Sequence, residues 1–324
     1  MSRCATVSRV LDEPIAGTAV HARTWLLLEQ PGPWGPEALT SSRLDPALGR
    51  ALKDAAAGSG VRVALIRRPG RHADHGSPPL RQVYAAHTVP GDGWIRSAVT
   101  SEPERLLDID FAALGRGAPG AFDAALPAAV PHNGCPLAFV CTNGRRDRCC
   151  ALLGRPLAAE LAASGVTGTW EVTHLGGHRF SPTLLVLPHG YAYGRVDAPA
   201  VKEVLHRARE GQVVTQHCRG RSAWPRPGQA AELAVRARIG ETSADALDVT
   251  GLRPLPAGDE EGAPPLWAAT VAHADGRRWR VVVAENSAGP PRPESCGAPL
   301  GSPVRMDVLR IAEEGAETAD GPTS

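Results

Sequence analysis

Apolar residues along the chain fall into short runs punctuated by Gly and Pro, the pattern of brief strands alternating with short helices. Residues 24–29 read as a strand that runs into the breaker-rich Gln30-Pro31-Gly32-Pro33-Trp34-Gly35-Pro36. Residues 44–57 have helical spacing, with Ser41 or Ser42 as caps and Gly58 and Gly60 closing the helix before a strand at 61–67. After a loop at 69–79, strands at 82–88 and 93–100 join as a hairpin through Pro90-Gly91-Asp92-Gly93, and a short helix around 102–114 follows.

Residues 115–134, rich in Gly, Ala and Pro without a clear period, mark a boundary, after which the same order returns. A strand at 136–140, a helix at 149–163, a strand at 167–174, a hairpin of 183–188 with 191–196 across His189-Gly190, and a helix at 199–209 complete it. Both units read β-α-β-β-β-α, so the expected architecture is α/β with tandem thioredoxin-like units. The units span residues 1–118 and 130–215. A C-terminal extension over 216–311 holds a helix at 228–239, a Pro/Gly/acidic loop at 253–265, and a hairpin of strands 266–273 and 277–285 around Asp275-Gly276, and residues 312–324 read as a disordered tail.

Composition narrows the class. With 43% hydrophobic and 21% charged residues over 324 positions, the chain is an ordinary globular one, and 35 basic against 34 acidic residues leave no global excess to attract nucleic acid or a membrane surface. No apolar run approaches membrane-spanning length and the segment 1–14 lacks a signal-peptide core, so a cytoplasmic location is expected. Seven cysteines (Cys4, Cys135, Cys141, Cys149, Cys150, Cys218, Cys296) are too sparse and uneven for a disulfide scaffold, and in a reducing cytosol clustered ones bind metal or do redox work. Phosphate-binding and dinucleotide glycine motifs are absent, as is a GxSxG elbow, and no pair of acids is placed for glycoside hydrolysis.

The informative stretch is Cys141-Thr-Asn-Gly-Arg-Arg-Asp-Arg-Cys149-Cys150, followed by His174-Leu-Gly-Gly-His178. Cys141 ends a strand, Cys150 starts a helix, and the histidines flank a loop leaving the next strand. These ends converge on one side of the expected sheet. Gly176 and Gly177 exclude a helix across the histidines but allow a tight loop that turns both rings inward. Three chemistries compete: zinc held as Cys2His2, despite an eight-residue gap between Cys141 and Cys150; a thiol oxidoreductase using Cys149-Cys150 or Cys141-Cys150, despite the lack of CxxC; and an iron-sulfur cluster with mixed thiolate and imidazole ligands.

CTNGRRDRCCALLGRPLAAEL with WEVTHLGGHRFSPTLLVLPHGYAYGRV resembles the sucrase/ferredoxin-like family, and WLLLEQPGPWGP, RRPGRH and ESCG extend the likeness more weakly. The resemblance implies that the second unit is a thioredoxin-like [2Fe-2S] ferredoxin serving electron transfer with redox partner proteins. It places the ligands at Cys141, Cys150, His174 and His178, with Cys149 as the reserve, because relatives commonly carry arginine before the second cysteine. Arg145, Arg146 and Arg148 are candidates for tuning the cluster or docking a partner, with Asp147 pairing among them. Cys4, Cys135, Cys218 and Cys296 read as isolated thiols, Cys135 being near enough in sequence to replace a lost ligand. His72 and His75 read as exposed, and Trp170 as core. Electron carrier is the leading role, with a zinc-stabilised interaction module as the alternative.

Overall fold

A computed structural model describes residues 3–70, 80–256, 262–287 and 289–315; His72 and His75, with residues 316–324 of the expected tail, lie outside them. The chain opens with helix α1 (Cys4–Val10), then strand β1 (Thr24–Glu29), helix α2 (Pro46–Ala56), and strands β2 (Val61–Arg67), β3 (Arg81–His87) and β4 (Trp94–Thr100). Asp45, rather than a serine, caps α2 by accepting from Ala47 N. A 3-10 turn (Pro103–Asp108), short helices α3 (Phe111–Gly115) and α4 (Gly120–Ala125), and strand β5 (Val130–Pro131) occupy the stretch in which the sequence shows one helix and a structureless boundary.

The second half runs β6 (Leu137–Cys141), α5 (Arg155–Ala163), β7 (Thr169–Val172), β8 (Thr183–Leu187), β9 (Tyr191–Gly194), α6 (Ala198–Arg209) and β10 (Cys218–Arg221). In each half the first strand is parallel to the second and antiparallel to the third, and the third is antiparallel to the fourth. The repeat order read from the sequence is thus present as repeated topology.

The two half-sheets form one mixed ten-stranded sheet, β10-β9-β8-β6-β7-β2-β1-β3-β4-β5. They are joined by two antiparallel residue pairs between β2 and β7, Ile66 with Val172 and Arg67 with Glu171. On one face Leu26 and Leu28 pack with Leu48 and Leu52 of α2, and Ala138 and Val140 pack with Leu157 and Leu161 of α5. The opposite faces of both halves share one core, in which Trp25, Leu27 and Tyr84 meet Phe139, Trp170 and Leu185. The Tyr84 ring lies 6.4 Å from that of Phe139, although four strand intervals, roughly 19 Å in a flat sheet, separate β3 from β6. The sheet therefore curls on itself. Edge strand β10 closes towards the first half, where Trp25 Nε1 donates to Ser222 Oγ at 3.0 Å and Arg221 Nε donates to the Thr88 carbonyl at 2.6 Å.

Helix α7 (Arg226–Ile239) then packs on a separate antiparallel sheet of β11 (Leu247–Pro254), β12 (Leu266–His273) and β13 (Arg278–Asn286), completed, after the hairpin of β14 (Arg292–Pro293) and β15 (Leu300–Gly301), by β16 (Arg305–Glu313). The expected two-strand hairpin is thus the middle of a four-stranded sheet, and β16 runs two residues into the stretch read as a disordered tail.

A buried ion pair locks the seam between the halves. Arg67 meets Glu171 Oε2 through Nε at 2.8 Å and Nη2 at 2.7 Å, donates to the Gly32 carbonyl at 2.6 Å, and lies 4.0 Å above the Trp34 ring. Glu171 Oε2 also accepts from Thr142 Oγ1 at 2.7 Å, tying the first half to the loop that follows Cys141. Glu171→Ala would strand a buried guanidinium. The expected loss is about 3–5 kcal/mol, seen as a lower urea midpoint, and Arg67→Met combined with Glu171→Leu should recover much of it.

Candidate metal centre

Cys141 is the last residue of β6, and Cys150 begins a π-helical turn (Cys150–Gly154) that leads into α5. Such wide turns recur at functional sites because they re-aim side chains inside a helix. Gly154 makes this one possible, since a Cβ there would lie 2.1 Å from the Cys141 carbonyl oxygen. Between β7 and a short 3-10 turn (His178–Phe180), Gly176 and Gly177 take consecutive left-handed conformations with φ of 71° and 66°. That bend stacks the His174 and His178 rings, with centroids 4.4 Å apart and planes 24° from parallel. A Cβ at Gly177 would come within 2.2 Å of the Arg219 guanidinium, so space as well as conformation requires glycine.

Of the four side chains singled out in the sequence, Cys150 and His178 are in direct contact, His174 stacks on His178 and Cys141 lies beside Cys150, but the four donor atoms are not gathered within 4.8 Å of one another. Cys150 Sγ lies 3.4 Å from His178 Nδ1 and 3.6 Å from Ser181 Oγ, and it shares a hydrogen bond with the Cys141 sulfur. That hydrogen bond, with the backbone N–H groups of Leu175 and Asn143, brings the Cys141 thiol down to about 7 against the opposing effect of burial, while the same contact and burial push Cys150 up. Burial, the neighbouring His178 ring, and the cations Arg62, Arg146 and Arg219 push His174 down to about 3. His178 is lowered by burial, reinforced by Arg146, Arg219 and Arg179 and opposed by Asp147. Both imidazoles are therefore neutral at physiological pH, the state in which a ring nitrogen can ligate a metal, although His174 Nδ1 accepts from Gly176 N at 3.4 Å. Two soft sulfurs beside two neutral nitrogens suit a thiophilic or borderline metal centre.

Two cations absent from the sequence reading attend the sulfurs. Arg219, on β10, is fully buried, and burial lowers it to about 10. Its Nη1 donates to the Gly176 carbonyl at 3.2 Å and its Nη2 to the Thr18 carbonyl. Arg62, on β2 of the first half, donates to the His174 carbonyl at 3.1 Å and feels the Cys141 sulfur. Neither lies near the cysteines in sequence, and no motif could have marked them. Arg145, Arg146 and Arg148, by contrast, are exposed. Arg146 pairs with Glu37 at 2.9 Å and, with Lys53, Arg62, Asn143 and His174, borders a groove of about 460 Å³.

Asp147 does not pair with those arginines. It is buried, and its two oxygens accept from Cys149 N at 2.8 Å and Cys296 N at 2.7 Å. Cys149 faces away from Cys141 and packs instead with Cys4 and Cys296. Cys4 and Cys296 are thus not isolated thiols; they are brought together by folding over a separation that sequence spacing cannot reveal. Cys135 is exposed beside Arg209, which donates to its sulfur at 3.3 Å, and it precedes the opposite end of β6 from Cys141, so it is not placed to replace a ligand. Cys218 is a buried core thiol, and Trp170 is wholly buried beneath Arg68, whose guanidinium carbon lies 3.7 Å from its ring.

Among the described residues, two groups of Cys, His and Asp side chains place their donor atoms within 4.8 Å of one another, as metal binding requires: Asp147, Cys150 and His178, and Cys4, Asp147, Cys149 and Cys296. No described helix is long and apolar enough to cross a membrane. A search of curated proteins and a search of solved structures each return no match. The family model described as sucrase/ferredoxin-like, however, matches residues 15–220, nearly two thirds of the chain and every element from β1 to β10. By that match, which takes in both halves of the curled sheet and all four of the converging Cys and His side chains, the chain belongs to the sucrase/ferredoxin-like family.

Proposed function

We propose that the chain is a one-electron carrier whose second half, a thioredoxin-like ferredoxin unit beside a ligand-free thioredoxin-like unit, holds a [2Fe-2S] cluster through Cys141, Cys150, His174 and His178. The observation that carries this reading is the convergence of a buried cysteine pair and a stacked pair of neutral histidines at one end of the sheet. When bound, the cluster exchanges one electron, and two thiolates with two neutral imidazoles make it about zero in charge when oxidised and −1 when reduced, two charges above an all-thiolate site. An electron enters a neutral centre more readily than a dianion. The expected potential therefore lies above the roughly −400 mV of plant-type ferredoxins.

The surroundings fit that use. Arg62 and Arg219 sit where added negative charge is stabilised by nearby cations. The groove beside His174 gives the imidazole a path to solvent and presents both signs of charge, Lys53 and Arg146 against Glu37, to a redox partner. A proton on the outer nitrogen of a histidine ligand is held more weakly when its iron is ferric, so electron uptake favours proton retention and the potential falls as pH rises. Thiol-disulfide exchange draws less support, because Cys141 and Cys150 are both buried beyond reach of an external disulfide.

Anaerobically purified protein should show visible charge-transfer bands with about two irons and two acid-labile sulfides per chain. A colourless, sulfide-free protein after attempted reconstitution would remove the electron-transfer reading. Substituting either histidine, His174→Cys or His178→Cys, should keep a cluster, lower its potential and flatten a pH slope that reaches at most roughly 59 mV per pH unit for one proton per electron. Unchanged potentials in both variants, by protein-film voltammetry, would eliminate them as ligands. Cys150→Ser should abolish the visible bands, whereas Cys149→Ser should retain them.

A further inference from the structure

Cys4, Cys149 and Cys296 bring three sulfurs into one shell from the first helix, the turn before Cys150 and the β14–β15 hairpin. The Sγ separations are nearly equal, 3.6 Å for Cys4 with Cys149, 3.6 Å for Cys4 with Cys296 and 3.3 Å for Cys149 with Cys296. Asp147 closes the fourth side, with its carboxylate oxygens 3.7 and 3.9 Å from Cys4 Sγ. We infer that Cys4, Cys149, Cys296 and Asp147 form a second metal site, a mononuclear tetrahedral site for a divalent ion of the zinc type, separate from the Cys141, Cys150, His174 and His178 centre.

The geometry separates one ion from the alternatives. A tetrahedron with metal–sulfur bonds of about 2.3 Å has sulfur–sulfur edges of roughly 3.8 Å, so three thiolates at the observed spacing need only a small expansion to receive one ion. A multi-iron cluster places at most two protein ligands on any one iron, so three thiolates at one short mutual spacing do not match it. A disulfide would single out one pair at about 2.05 Å, whereas the three separations differ by only 0.3 Å.

The surroundings point the same way. Asp147 is buried, and among the described residues it has no ion-pair partner. Its oxygens accept the N–H groups of Cys149 and Cys296, which orient the carboxylate towards the three sulfurs, and a cation there would offset the negative charge that those hydrogen bonds only partly stabilise. A single divalent ion satisfies all four donors, with the three thiol protons released to solvent as it binds. The approach of the first helix and the hairpin is fixed independently of the sulfurs. Glu13, just beyond α1, accepts from Arg179 Nε at 2.7 Å and from Arg292 Nη2 at 3.1 Å, pinning the first helix, the His178 turn and the β14 strand together.

The role that follows is structural. The ion would clamp the first helix and the C-terminal hairpin onto the turn that carries Cys150. Metal analysis of the anaerobically purified chain tests it, with iron, zinc and sulfide measured on the same sample and on Cys4→Ser and Cys296→Ser. The expected result is about one zinc per chain in the parent and at least a fivefold loss of zinc in each variant, with iron and sulfide retained. Zinc lost in the variants of a protein that lacks sulfide would sustain this site while ending the [2Fe-2S] reading. Should the variants not fold, alkylation of the parent supplies the same test, because Cys4 and Cys296 should be protected until a zinc chelator is added. A zinc-free parent with its thiols freely alkylated, a parent about 2 Da lighter through a Cys149–Cys296 disulfide, or a third iron with no zinc would each overturn the assignment.

Discussion

Two residue pairs between β2 and β7 hold the rest of the structure in place. The pairing continues past the strand as bonds from Thr173 N to the Leu65 carbonyl and from Leu65 N to Thr173 Oγ1, and it ends with Arg62 on the His174 carbonyl. The first half, whose described residues include none of the four Cys and His side chains at the site, therefore sets the path of the backbone on which His174 rides. Because so few ladder bonds cross the seam, the buried Arg67–Glu171 pair and the shared aromatic core resist its opening. The same guanidinium holds the Gly32 carbonyl and the Trp34 ring, so the Pro/Gly loop after β1 is anchored where the two halves meet.

Around the metal centre, adjacent residues serve opposite purposes. Cys149 and Cys150 are neighbours at the start of a helical turn, and consecutive helical side chains point about 100° apart. One therefore faces Cys4 and Cys296 while the other faces Cys141 and His178. Asp147 lies within reach of both groups. The loop needs no salt bridge among its own arginines to be ordered, because Asp147 receives N–H groups from Cys149 and Cys296.

The sequence was most legible where local chemistry decides. Turn residues and apolar runs located strands β1 to β4 and β6 to β9, and the Gly176-Gly177 bend followed from a conformation that glycine adopts freely. Legibility ended where folding joins distant segments or where patterns were faint. Strand β11 is interrupted by Gly251 and β16 alternates charges with apolar residues on a half-exposed face, so neither stood out from loop. Arg62 and Arg219 were hidden among the many arginines of the chain. Cys4 and Cys296 gave no spacing signal at all, because their contact exists only in three dimensions.

That contact has a temporal side. Cys4 leaves the ribosome 292 residues before Cys296, and by then Cys149 and Cys150 have long been available. The cysteine and histidine centre of the second half can assemble while synthesis continues, whereas the three-sulfur cluster must wait for the hairpin that carries Cys296. A nascent chain that stalls after β13 would own a complete curled sheet with its first helix held by Arg179 and Arg195, still lacking the contact that Cys296 brings.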